Sequence, residues 1–352
     1  MRSSTQSTTQ PIAVRFDQSP LRLSSTESSG RTFGSYAEQW IEIQLEQAHA
    51  GLIRANTISR FESALRAHLI PFFAAYPLSS VTRERCEAFR TALYQTNHLA
   101  PRTINGLMEV LRLVLRRAIQ DGAMPGPDPT LGIRPLWSEP RRVDCYSPAE
   151  VSHLLIATPN KYRAIVALAV LAGLRQGEIH GLRAMDIDLI RATVHVRRSL
   201  QRPHRLLSLD QRLGPPKTPA AVRSVPLRAS LVDILDEHFT RHHRPNSLQL
   251  AFPGKAGQPL EPSNFRHRVY QPAAERAGLR PISFHDLRVT FITQCAEAGI
   301  PIVVIARWVG HTTTKTTELY LYSTRHAEQD ALSLLRQYDS DHDATTLFDP
   351  SR

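Results

Sequence analysis

Cysteine is scarce. Cys86, Cys145 and Cys295 are the only three in 352 residues, they stand far apart, and no C-x-x-C pair occurs. A disulfide framework and a cysteine-based zinc site are therefore not expected, and the three read as small buried residues of a reducing compartment. Long apolar runs are missing too. The longest, Ala164 to Leu174, is about half a bilayer span, so no membrane crossing is expected. The N-terminus lacks an apolar signal core, and the expected location is the cytoplasm. Nowhere do the histidines fall into H-E-x-x-H, and no acidic trio stands out that would hold two magnesium ions. That argues against an acid-cluster nuclease or transposase, and neither a metal nor a cofactor is expected. There is no internal repeat.

What the chain does have is positive charge. Its formal balance is +11 with an isoelectric point near 10.0, which favours a polyanionic partner. The length suits two ordinary domains, each able to bury a core. Residues 1–31 are rich in Ser, Thr and Gln and cannot bury enough surface to offset ordering, so a disordered arm is expected.

From 32 to 133 the pattern is helical. Thr32 or Ser35 starts a first helix that carries Trp40, Ile41 and Leu45, Ser35 with Glu38 reading as a capping box unless the helix has already begun at Thr32. A second helix carries Ile58, Phe61, Leu65 and Leu69 and is expected to stop near Pro71. A third begins near Thr82. The fourth opens at Pro101, shows Ile104, Met108, Leu111, Leu115 and Ile119 on one side, and closes at Asp121 and Gly122. Residues 134–146 have two prolines, mixed charge and no periodicity, as an interdomain linker should. A second domain, 147–325, opens with Ser147 as N-cap, Pro148 at the first helical position and Glu150 at the third. Tyr162 to Leu174 is apolar nearly all round and reads as a buried helix delivering Arg175 at its end. Ala192 to Val196 and Val222 to Leu227 alternate as strands. Leu231 to Phe239 and a segment capped by Ser263 and running to Ala277 read as further helices.

The stretch 281–322 concentrates chemistry. Phe284, Leu287, Phe291, Ile292 and Cys295 recur at helical spacing, predicting a helix from about Phe284 to Glu297. His285 and Arg288 share one edge of it. A second apolar helix, Pro301 to Val309, stops at Gly310, and His311 follows. Tyr320 and Tyr322 come next. Two imidazoles, a guanidinium and a phenol among few carboxylates form a set of anion-binding and proton-transfer groups with a latent nucleophile, which suggests chemistry on a phosphate. After it, residues 326–352 begin with an amphipathic helix over 326–338, marginal alone in water and expected to dock either on its own domain or on a neighbouring subunit.

His285, Leu287 and Arg288 as H-x-L-R, the Gly310–His311 pair and Tyr320 nine residues on resemble the tyrosine recombinase (phage integrase) family. The phrase from Leu171 through Arg175, Gly177 and Glu178 to Leu182 is similar to that family's first catalytic box. Pro216, Lys217 and Thr218, followed by Arg223, Pro226 and Leu227, resemble the hairpin where it keeps a catalytic lysine. The resemblance covers about residues 32–325. It implies a mostly α fold with a small antiparallel β-sheet: an N-terminal four-helix, SAM-like core-binding domain and an α+β catalytic domain. It also implies six roles, filled in family order by Arg175, Lys217, His285, Arg288, His311 and Tyr320. In that context Arg102, Arg112, Arg116 and Arg117 on the fourth helix are assigned to DNA binding. The implied activity is metal- and ATP-independent cutting and rejoining of double-stranded DNA, with a homotetramer acting on two DNA sites.

These residue types suit that chemistry. Two guanidiniums hold the non-bridging oxygens through charge-assisted bonds, each contributing roughly 1.5–3 kcal/mol. Ionising a phenol of pKa about 10 at pH 7 costs about 4 kcal/mol, so His285 would accept the proton of Tyr320 during attack. Lys217 would supply the acid for the leaving hydroxyl. The sequence departs from the pattern at Val289, where a second His is common, at Val309, where Leu is usual, and at Ala221, where Ser is frequent; Val289 is expected to weaken the support around Arg288. Two other readings stand beside the recombinase: a type IB topoisomerase-like DNA-relaxing enzyme, and a non-catalytic DNA-binding accessory protein.

Overall fold

The computed structural model describes residues 31–139, 144–216 and 218–313. Lys217, Tyr320, Tyr322, residues 1–30 of the expected N-terminal arm and the segment 326–338 expected as a helix lie outside the described residues. Among the described residues the fold is mostly α with one small antiparallel β-sheet. The chain forms two compact units, one made by residues up to Arg141 together with Arg202–Ser208, the other by Arg142–Gln201 and Leu209 onward.

The first unit contains α1 (Phe33–His49), α2 (Ala55–Ala64), α3 (Ile70–Phe73), α4 (Arg83–Gln95) and α5 (Pro101–Gln120). Thr32 is the N-cap of α1, its Oγ1 accepting the Ser35 N–H, so the helix begins ahead of Ser35. The second helix does not stop at Pro71. A π-helical turn over Leu65–Leu69 joins α2 to α3, and the chain stays helical to Phe73. Pro71 is tolerated because it falls in the first turn after that widening, where its missing N–H breaks no α-helical bond. In α5 the apolar residues Ile104, Leu107, Met108, Leu111, Val114, Leu115 and Ala118 are all buried, which makes this helix the spine of the core. Tyr36 donates to Asp121 Oδ2 at 2.7 Å and ties α1 to the end of α5. Beyond it the chain remains pinned to this unit: Asn105 donates to Leu136 O and accepts from the Leu136 N–H, both at 2.8 Å. The segment 202–208 groups here as well, through Leu206 in the apolar cluster and Arg205 on Glu62.

The second unit opens with α6 (Pro148–Ala157), where Ser147 and Glu150 form the capping box. Next come α7 (Asn160–Leu171), α8 (Gln176–His180), β1 (Ile187–Asp188), β2 (Thr193–Val196), α9 (Leu209–Arg212), β3 (Arg223–Pro226) and α10 (Ala229–Arg241). α11 (Pro262–Phe265) and α12 (Gln271–Arg276) are joined by a π-helical turn, and α13 (Asp286–Glu297) and α14 (Ile302–Val309) follow. Every residue from Ala164 to Leu171 is buried, so α7 is the central helix, with the sheet, α10 and α13 around it. The sheet order is β1-β2-β3, with Val194 opposite Val225, and both side chains point into the core. Ser263 does not cap α11: the N-cap position falls to Glu261, without a side-chain capping bond, because Pro262 takes the first helical position. α13 begins at Asp286, two residues later than expected, leaving His285 at its N-cap.

Candidate active site

Gly173 turns the chain out of α7 with φ +66°, a left-handed conformation that glycine adopts without a Cβ penalty. Two residues on, Arg175 is the N-cap of α8. The carboxylate of Glu178 in the first turn of α8 accepts the Arg175 backbone N–H at 2.9 Å and its Nη1 at 2.8 Å. The other terminal nitrogen, Nη2, donates to Gly310 O at 3.2 Å. Arg175 is thereby stretched across the gap between α8 and the end of α14, with its side chain one-third exposed.

That end is a glycine-terminated cap. Gly310 has φ +66°; its N–H donates to Arg307 O and the His311 N–H to Ala306 O, the paired bonds of a Schellman motif. A Cβ on Gly310 would lie 3.0 Å from Ala220 O and 3.1 Å from Arg223 Cδ, so the turn packs tightly on the segment leading into β3. His311 is half-buried beside it. Burial, and then the positive charges of Arg288, Arg175, Arg223 and His285, lower its pKa to about 3. At neutral pH it is an uncharged imidazole, able to donate one N–H.

Arg288 is almost wholly buried, at 2 % exposure. It donates to Gly173 O at 2.7 Å and to Val309 O, so its guanidinium spans the two turns that present Arg175 and His311. Val289 is itself buried, and the carbonyls that hold Arg288 come from other elements, so this departure removes neither of them. His285 is exposed at the mouth.

A cavity of about 400 Å³ is lined by Arg175, Glu178, Ser199, Pro216, Thr218, Ala221, His285, Gly310, His311 and Thr312. Three of the expected site residues, Arg175, His285 and His311, thus face one cavity, and Arg288 lies among them as the fixed cation behind the two turns. Pro216 and Thr218, the neighbours of Lys217, stand on its wall. Among the described residues no group of three or more His, Cys, Asp or Glu is placed to hold a metal ion.

The residues 147–326, just over half of the chain, match the model of the phage integrase family. The chain belongs to that family. Its members are the tyrosine site-specific recombinases. Among curated members the chain is similar to a protein named as the phiRv2 prophage integrase of Mycobacterium tuberculosis, 26 % identical over 313 residues, covering 87 % of this chain and 78 % of that protein. It is also 25 % identical to the prophage integrase IntR of Escherichia coli K12, over 82 % of this chain and 76 % of the relative. Its fold is similar to that of the Tn1549 transposon integrase solved with a circular-intermediate DNA, with a TM-score of 0.70 at 18 % identity over 86 % of this chain and 99 % of that one. A lambda integrase tetramer bound to a Holliday junction gives 0.63 at 18 % identity, over 83 % and 78 %.

Two residues of this site, Glu178 and Arg223, have no role in what the sequence alone leads one to expect. Glu178 holds its carboxyl below the usual range although burial opposes ionisation, because the hydrogen bond and charge of Arg223, then the charge of Arg175, outweigh that burial. Its spacing from Arg175 was a readable signal, since an acid three residues after an N-cap reaches back to it. On the first unit, Arg112 pairs with Glu109, Arg116 with Asp128 and Arg117 with Asp121; Arg102 is exposed. A separate groove of about 610 Å³ lies on another face of α5, lined by Asn56, Ser59, Arg60 and Ser63 with Thr103, Gly106 and Arg202 among others.

Proposed function

We propose that this integrase cuts and rejoins double-stranded DNA through a 3′-phosphotyrosyl ester on Tyr320, acting as a homotetramer on two DNA sites. One observation carries the reading: Arg175 and Arg288 are tied by backbone carbonyls and one carboxylate to the turns beside a cavity that His311 lines and whose wall continues into the residues on either side of Lys217. Each side chain then has a task. Arg175 and His311 donate to the non-bridging oxygens of the scissile phosphate, and Arg288 supplies fixed positive charge from behind. Because these donors are oriented before DNA arrives, they stabilise the pentacoordinate transition state without reorganising. The arriving phosphate opposes the cations that lower the pKa of His311, which strengthens its hydrogen bond.

The Tyr320 oxygen attacks phosphorus, His285 takes the phenolic proton, and the O5′ bond breaks with a proton supplied by Lys217. The phosphodiester becomes a phosphotyrosyl ester of similar energy, so a 5′-hydroxyl of another strand reverses the step without ATP. In this reading the first unit is the SAM-like core-binding domain. Hydroxyl and amide side chains with Arg60 and Arg202 make its α2–α5 groove suited to a duplex backbone, while Arg102, Arg112, Arg116 and Arg117 border the phosphates. In the same reading the segment 326–338 would dock on a neighbouring subunit, its own domain being the other choice.

The test is covalent trapping. A target duplex is first selected by binding from a random library, then nicked so that the short cleaved strand diffuses away. The wild-type chain should form a denaturant-resistant adduct in excess EDTA. Tyr320→Phe should bind equally and form none, and Tyr322→Phe should retain it. An adduct that survives in Tyr320→Phe and disappears in Tyr322→Phe reverses the assignment; activity that requires magnesium rejects the mechanism.

A further inference from the structure

We infer that Arg223 is a positioning residue for the phosphate site, locking Glu178, and through it Arg175, to the turn that presents His311. The inference rests on the reading of Arg175 and His311 as phosphate donors. Arg223 opens β3 on the inward face of the strand, and its side chain is 4 % exposed. It does not line the cavity, so it acts on DNA only through others.

Its guanidinium is used on every side. Nη2 donates to Glu178 Oε2 at 2.9 Å and Nη1 to Glu178 Oε1 at 3.1 Å. Nη1 also donates to Ala221 O at 2.9 Å, and Nε donates to Trp308 O. Glu178 therefore accepts four bonds, one from each arginine on each oxygen: two from Arg223 and two from the backbone N–H and Nη1 of Arg175. With Arg175 Nη2 on Gly310 O, the links close into a ring: Arg175, Glu178, Arg223, and the α14 terminus back to Arg175.

The ring matters for two reasons. A carboxylate and a guanidinium left alone prefer a two-bond fork. Here Glu178 Oε2 is filled by Arg223 and by the Arg175 backbone, so Arg175 gives Glu178 one terminal nitrogen and keeps the other extended toward Gly310. Charge follows the same logic. Glu178 with Arg175 alone is neutral; with Arg223 added, the buried group keeps a net positive charge next to the cavity. Removing Arg223 would release acceptor sites that draw Arg175 inward and would unfasten Trp308 O, the residue two before Gly310.

The experiment measures single-turnover adduct formation with the full chain on the nicked duplex, alongside duplex affinity and thermal melting. Arg223→Ala should bind the duplex as wild type does and cleave about 10–100-fold more slowly, the range typical for loss of a residue that orients a ligand-holding group. Arg223→Lys keeps a cation for Glu178 but cannot also reach Trp308 O and Ala221 O, and should cleave about tenfold more slowly with near-normal melting. A duplex with a neutral methylphosphonate at the scissile position removes the charge that Arg175 serves, so on it the deficits of Arg223→Ala and of an Arg175→Ala control should both shrink. A merely structural lesion would slow both substrates alike. Wild-type rates in a folded Arg223→Lys, equal deficits on both substrates, or loss of folding in both variants would each overturn the inference. Absence of any adduct with the wild-type chain would instead reject the DNA-cleavage reading itself, and this inference with it.

Discussion

His180 should make the second unit acid-sensitive, and the size of the effect follows from its surroundings. It ends α8, the helix that Arg175 caps, and is 1 % exposed with its ring 5.4 Å from that of Phe265. Among the described residues neither ring nitrogen has a hydrogen-bond partner, and burial lowers its pKa from 6.5 to about 3. The folded-state value lies below the unfolded one, so between those two pH values the unfolded chain binds the extra proton and acidification favours unfolding. At pH 5 an unfolded histidine of pKa 6.5 is almost fully protonated and His180 is not, which removes about 2 kcal/mol of stability relative to neutral pH. His180→Phe, close in shape and without the orphaned nitrogens, should equal or exceed wild type by about 1 kcal/mol at pH 7. Urea unfolding of both chains at pH 7 and pH 5, followed through the transition of the second unit, is the assay. Other titrating groups, His311 included, are shared and cancel in the difference. The wild-type chain should lose about 2 kcal/mol more than the variant over that interval. Equal losses, or a His180 ring signal that titrates near pH 6.5 in NMR, would refute the reasoning.

Gly310→Ala forces a Cβ into a left-handed residue, costing about 1–2 kcal/mol, and sets it 3.0 Å from Ala220 O. Its melting temperature should fall, and adduct formation should fall further than duplex affinity; an unchanged cleavage rate would show that the turn does not set the position of His311. Arg175→Lys should retain duplex binding and lose about 10²–10³-fold in cleavage rate, since an ammonium cannot serve Glu178, Gly310 O and a phosphate from one plane. Near-normal single-turnover cleavage in that variant would remove Arg175 from the phosphate site.

Much of the helical framework was legible because its causes are local. Pro101 at the first position of α5, the Ser147–Glu150 box and the all-apolar face of α7 each follow from a few neighbouring residues. The misses also have local explanations. A π-helical turn such as Leu65–Leu69 has no compositional mark, and it carries the helix past the proline that was expected to end it. β1 has two residues, too few for alternation to register. At the site, Arg175, His285, Arg288 and His311 stood out through motifs, whereas the role of Arg223 depends on Glu178 and Trp308, forty-five and eighty-five residues away in sequence. One clue was available: an arginine at an inward-facing strand position needs a buried acid or carbonyls to receive it.

The meeting of Gly173 and Phe291 bears on how such a protein can change. A Cβ at Gly173 would sit 2.4 Å from Phe291 Cδ1, while the carbonyl of the same glycine receives Arg288, three residues before Phe291 on the same helix. A side chain at 173 is therefore barred twice, by the ring of Phe291 and by the left-handed backbone. A smaller ring-less residue at 291 would make room for a side chain at 173, yet the left-handed backbone there would still resist one. In a laboratory campaign to vary the protein, random libraries should find position 173 silent, and truncations at the buried Phe291 should survive only at a cost of about 3–5 kcal/mol. Adaptive paths would run through the outer surfaces of the helices instead, with Arg223 and Arg288 inherited together with the turns they hold.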